Sequence, residues 1–151
     1  MASTVEQARK LIGFNEWANS RVLAAAEKLT PDQYSELADQ FAHMLGAQRF
    51  WHSRWTGGEY GSHVIMDTAE EAKAAYAKSH DDMRVFGDSL TEESLERTDD
   101  WFGNGNQLSV GDSIVQVVNH STQHRSEIAI ELTEHDASPG DLDYLFFRWG
   151  M

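Results

Sequence analysis

Apolar side chains recur along this chain at spacings of three and four far more often than at two, which is the period of amphipathic helices. Four long helices can be placed from that pattern. The first opens with Ser3 three residues before Glu6, a capping-box spacing, carries Val5, Ala8, Ile12, Val22, Leu23 and Ala26, and ends near Leu29. Thr30-Pro31 restarts a helix, with threonine as cap and proline at the first helical position. Its apolar positions are Phe41, Met44, Leu45, Trp51 and Trp55, and Gly57-Gly58 terminates it. A third helix begins at Asp67, with Glu70 three residues on, and passes Ala72, Ala75, Tyr76, Met83 and Phe86 before Gly87. Between Thr91 and Leu108 the pattern gives a short charged helix and then a loop or small hairpin, where Gly103, Asn104, Gly105 and Asn106 supply turn conformations. The last long helix starts at Ser109, with Asp112 three positions later, and runs to about Glu134, roughly 37 Å at 1.5 Å per residue. The fold class is therefore all-α, a four-helix bundle with an insertion before its last long helix.

After Pro139-Gly140 the segment DLDYLFFRWGM concentrates Leu142, Leu145, Phe146, Phe147 and Trp149. So apolar a tail must cover the bundle or a second copy of the chain, and a homodimer is one expectation. Neither repeat nor linker interrupts the string, so residues 1–151 read as a single domain. A chain of this length can bury a core without metal or disulfide staples, which makes any bound metal functional.

Composition then narrows the chemistry. The chain has no cysteine, so it can supply no disulfide, thiolate metal site or cysteine nucleophile. With 25 acidic and 12 basic residues its formal charge is -13, which opposes binding to nucleic acid and to anionic membranes. The opening segment is too charged for a signal peptide and nothing approaches a membrane span, so a cytoplasmic protein acting on a small molecule is expected.

His120 and His124, in VVNHSTQHRSEI, lie four apart on the last long helix and therefore stack on one face, where two imidazoles can chelate one metal ion. A hydrogen-bonded pair at a helix interface is the plainer reading. A third ligand has to come from the second helix, where His52 shares the apolar face with Phe41, Leu45 and Trp55 and His43 lies about 130° from that stripe beside Ala47 and Phe50. Periodicity alone favours His52. Di-iron carboxylate bundles need Glu-x-x-His pairs, of which there are none, and the zinc-protease motif His-Glu-x-x-His is also absent.

Three segments, FNEWANSRVL, AHMLGAQRFWHSRWTGG and VVNHSTQHRSEIAIEL, give the chain a resemblance to the DinB/YfiT family of metalloenzymes, the DinB-like four-helix bundles, over nearly its whole length. The last is the most specific: an asparagine-histidine pair, then a histidine followed by arginine. The resemblance implies one divalent metal, zinc or nickel, held by His43, His120 and His124, with Phe50 and Ala47 forming a second buried face beside His43. It also implies a thiol-dependent S-transferase or related enzyme in which the metal activates an external low-molecular-weight thiol cosubstrate. A hydrolase using metal-bound water and a non-catalytic stress-related metal-binding protein are the alternatives. Gln48 stands where a glutamate is frequent in the family.

Other polar residues carry two readings each. Asn15 and Asn19 fall on the apolar stripe of the first helix, which favours pairing inside the core over lining a pocket. Glu127, three after His124, can serve as catalytic base, fourth ligand or acceptor for an imidazole N–H, or simply pair with Arg125 on the surface. Arg125 can bind an anionic substrate but reads more plainly as an ion pair between helices, and His63, His80 and His135 read as surface histidines. Trp51, Trp55, Trp101, Trp149, Phe146 and Phe147 can wall an apolar pocket but read more plainly as core.

Overall fold

The computed structural model describes residues 4–151. It is all-helical apart from one two-residue hairpin: α1 (Val5–Ala26), α2 (Pro31–Thr56), α3 (Ala69–Ser89), α4 (Glu92–Glu96), β1 (Thr98–Asp99), β2 (Leu108–Ser109), α5 (Val110–Glu134) and α6 (Tyr144–Arg148). None of these helices is long and apolar enough to cross a membrane.

Side-chain caps set the starts of the long helices. Thr30 and Ser109 accept from the backbone N–H three residues on, where the spacing predicts it. Two starts fall one residue later than expected. Thr4 caps α1 in a capping box with Gln7, while Ser3 lies outside the described residues. Thr68, not Asp67, caps α3: its hydroxyl accepts from the Glu71 N–H, and the Glu71 carboxylate accepts in return from the Thr68 and Asp67 N–H groups. At the other ends, α1 stops at Ala26 ahead of a turn, and Gly57 closes α2 with a left-handed φ of 71°. Gly87 does not end α3. It lies buried within it, where a β-carbon would meet Ile12 Cδ1 at 3.2 Å, and so lets α1 and α3 approach closely.

Helices α1 and α2 each pack against both α3 and α5, which puts α1 and α2 at opposite corners of a four-helix bundle. One end of the core holds Phe41, Met44, Leu45, Tyr76 and Ile128, and the other Ile12, Trp51, Trp55, Trp101 and Ile114. The antiparallel register of α2 and α5 is visible in its rungs: Glu36 with His135, Gln40 with Glu131, and, at the far end, Trp55 with Ser113. The hairpin pairs Thr98 with Ser109 and Asp99 with Leu108, and seats the buried Trp101 against Trp51.

The apolar tail is only partly covered. Phe147 packs on Phe14 and Trp17, as expected of a tail folded onto the bundle, but α6 buries no residue fully and Trp149 remains 68% exposed. Phe146, Phe147 and Trp149 are thus not core, unlike Trp51, Trp55 and Trp101.

Candidate metal centre

The seam between α2 and α5 brings His43 together with His120 and His124. One ring nitrogen from each lies within 4.8 Å of the others, and the ring centroids are 4.5–5.2 Å apart. His120 and His124 face each other through Nε2 at 3.2 Å. Two nitrogens bound to one tetrahedral zinc at about 2.0–2.1 Å stand roughly 3.3 Å apart, so the pair has the spacing that a shared ion needs. Burial holds the His120 imidazole below its usual pKa, and its neighbours His124 and His43 push the same way, which keeps it in the neutral form that binds metal. Its buried Nδ1 has no hydrogen-bond partner among the described residues. The three side chains fit a divalent ion.

The triad is not a core site. His43 is exposed, His120 and His124 are half-buried, and Ala47 and Phe50 beside His43 are half-buried too, so the second face of α2 borders solvent instead of being sealed. His52 stays apart from the group. It points toward α3, edge-on to Phe86 at 6.3 Å, and lines a cleft with Lys78, Ser79 and Asp82. Burial lowers its pKa. The helical wheel finds the face of α2 turned to the core, whereas the histidine triad sits where α2 and α5 meet the surface.

Glu127 falls outside the three-histidine group. Its Oε2 is 3.5 Å from Nδ1 of His124, while Nε2 of that ring faces His120. It is placed to accept from the outer nitrogen of His124 and so to fix which nitrogen points inward. It makes no pair with Arg125.

Behind the triad, the middle of the bundle holds a polar layer drawn from all four long helices. Arg125 is 2% exposed and donates through Nη1 to the side-chain oxygens of Asn15 and Asn19, and through Nη2 to Thr122. A guanidinium has only donors, so it fixes the orientation of both amides. Their NH2 groups then point inward: Asn15 donates to Gln48 Oε1 at 2.9 Å, and Asn19 faces His80 Nε2 at 3.2 Å. Gln48 passes the chain on, donating to Ser79 at 2.7 Å. Gln48, where the resemblance leads one to expect a glutamate, thus carries an amide that both accepts and donates. Asn15 and Asn19 pair in the core as expected, but Arg125 forms no ion pair among the described residues, and burial lowers its pKa to about 10.

Two of the remaining histidines are not the plain surface residues that isolated spacing suggests. His80 is buried in this layer, its pKa lowered to about 4 by burial first and by Arg84 next. His135 is half-buried beside Glu36. His63 is exposed, in the α2–α3 loop near His43.

A model of the DinB family matches residues 1–151, the whole chain. The chain belongs to the DinB family. The all-α architecture and the three-histidine group agree with that membership. Comparison with curated proteins gives no significant match, so within the DinB family the activity of this chain has to be argued from its own site.

Proposed function

We propose that this DinB-family chain is a divalent-metal-dependent enzyme of the thiol S-transferase type, with His43, His120 and His124 as the ligands. The observation that carries the reading is the convergence of three imidazoles at a face open to solvent. Three protein ligands with an accessible side is the composition of a catalytic rather than a structural site. Imidazole donors suit zinc or nickel. When bound, such an ion lowers the pKa of a thiol or water beside it, making thiolate or hydroxide available near neutral pH. Because the chain has no cysteine, the thiol comes from a cosubstrate.

The chain's own residues hold and orient. His120 and His124, one turn apart on α5, present Nε2 to the same point, and His43 reaches that point from α2. Glu127 Oε2, 3.5 Å from Nδ1 of His124, stands where a positioning carboxylate would; it lies on the far side of that ring from His120, which disfavours it as the base for a bound water.

Metal analysis of the purified protein is expected to return about one divalent ion per chain, lost in His124→Ala and His43→Ala and retained in His52→Ala. Retention in His43→Ala with loss in His52→Ala ends the assignment. Small thiols added to the cobalt-substituted protein are expected to add a near-ultraviolet charge-transfer band. If carboxylates perturb the cobalt spectrum and thiols do not, the hydrolase reading replaces the transferase. If no small ligand reaches the ion, the chain is a metal-binding protein.

A further inference from the structure

A groove of about 570 Å3 runs along the surface face of α2 away from His43, floored by Gly46 and Ala47 and walled by Phe50 and Tyr60. It is open to solvent along its length rather than enclosed. Phe50 lies seven positions along the helix from His43, about 10 Å, the reach of a compound carrying one ring.

Two features show that the groove is built. A β-carbon on Gly46 would stand 3.2 Å from the Tyr60 hydroxyl oxygen, so it is the missing side chain, one turn from His43, that lets this hydroxyl lie over the helix. Tyr60 is itself held there from the α2–α3 loop. Arg49 donates Nη2–H to its carbonyl at 3.0 Å and sets its guanidinium 5.4 Å from the ring. The Tyr60 ring meets Phe50 edge-on at 6.3 Å, and Phe50 stacks on Phe102 at 5.5 Å and 18°. Tyr60 and Phe102 are nonetheless 45% and 64% exposed, leaving aromatic surface free at the end of a groove that starts at a candidate metal ligand.

Charge narrows the ligand. The ionisable side chains of the lining are Asp39, His43 and His63, with no lysine or arginine among them, and the whole chain carries -13. The nearest guanidiniums lie against its aromatic walls, Arg49 5.4 Å from the Tyr60 ring and Arg54 5.0 Å from the Phe50 ring, so the helix floor itself offers an anionic body no counter-charge.

We infer that this groove seats the substrate's uncharged, flat apolar body, an aromatic ring in the simplest case, while its reactive end lies at the three histidines. The inference rests on the metal-site reading above and adds to it the class of molecule that the site takes.

The test compares benzohydroxamic and acetohydroxamic acids, two metal chelators that differ by the ring, by calorimetry on the zinc-loaded protein. The ring should tighten binding about tenfold or more. Gly46→Val, which fills the groove, and Tyr60→Ala, which removes its wall from a surface loop, should each bring the ratio close to one without weakening acetohydroxamate. Equal affinities in the unsubstituted protein overturn the groove and leave the metal site standing. If neither hydroxamate binds, the metal reading falls, and a separate arm decides the groove. Benzyl alcohol added to the metal-free protein should shift the backbone NMR signals of Gly46 and Tyr60, and unshifted signals overturn the inference.

Discussion

Arg125 shows how this protein keeps a positive charge in its centre without a carboxylate: two amide oxygens and a hydroxyl take up its donors, and the amides hand the polarity on to Gln48 and His80. Buried donors left without acceptors, or acceptors without donors, cost about 1–3 kcal/mol each. Arg125→Met orphans the Asn15 and Asn19 oxygens together, and urea denaturation should record a loss of about 2–4 kcal/mol. His80 gives the layer a pH dependence. Its Nε2 faces the Asn19 amide NH2, so protonation sets donor against donor, with Arg84 and Arg125 adding repulsion and Asp81 opposing it. Its folded pKa of about 4 lies below the unfolded 6.5, so the unfolded chain binds more protons between those values. Stability should therefore hold above pH 6.5 and fall as pH drops toward 4, by up to about 3 kcal/mol. His80→Gln should flatten that slope in denaturation series at pH 7, 6 and 5; an unchanged slope would assign the effect to other groups.

Among the elements, the caps predict where single changes matter. Thr68→Ala should cost about 1 kcal/mol in thermal or urea unfolding and Asp67→Ala distinctly less, because only Thr68 accepts a helix N–H through its side chain. The spacing singles out Asp67 with Glu70 and Ser3 with Glu6, whereas the structure uses Thr68 with Glu71 and Thr4 with Gln7, one residue on at the same spacing. Overlapping boxes of this kind cannot be ranked until the direction of the first N–H groups is known. The long helices and the bundle were legible because their stripes run for five turns or more. His80 was legible too, had the stripe Ala72, Tyr76, Met83 and Gly87 been extended through it; treating it as isolated hid the signal. His43 was a different problem. Periodicity identifies the face a helix turns to the core, and a ligand at the margin of two helices is invisible to it. The family resemblance pointed to His43, and the register of α2 on α5 explains how it comes to stand beside His120 and His124.

On the scale of the whole molecule, the triad joins two helices that the other contacts already hold in antiparallel register. Any ion that binds the folded chain and not the unfolded one stabilises it by mass action, about 2.7 kcal/mol at a hundredfold excess over Kd. Zinc should therefore raise the unfolding midpoint of the native sequence and leave that of His124→Ala nearly unmoved, a contrast that calorimetry reads directly. The two halves of the triad are also far apart along the chain, since His43 belongs to the second long helix and its partners to the last. A chain from which only α1 to α3 have emerged already carries His43, yet neither of its two partner imidazoles, His120 and His124, is in place until α5 emerges and docks. Capture of an ion by the proposed triad would thus wait for the last step of assembly, and an ion held by all three histidines would mark a molecule whose final long helix is in place.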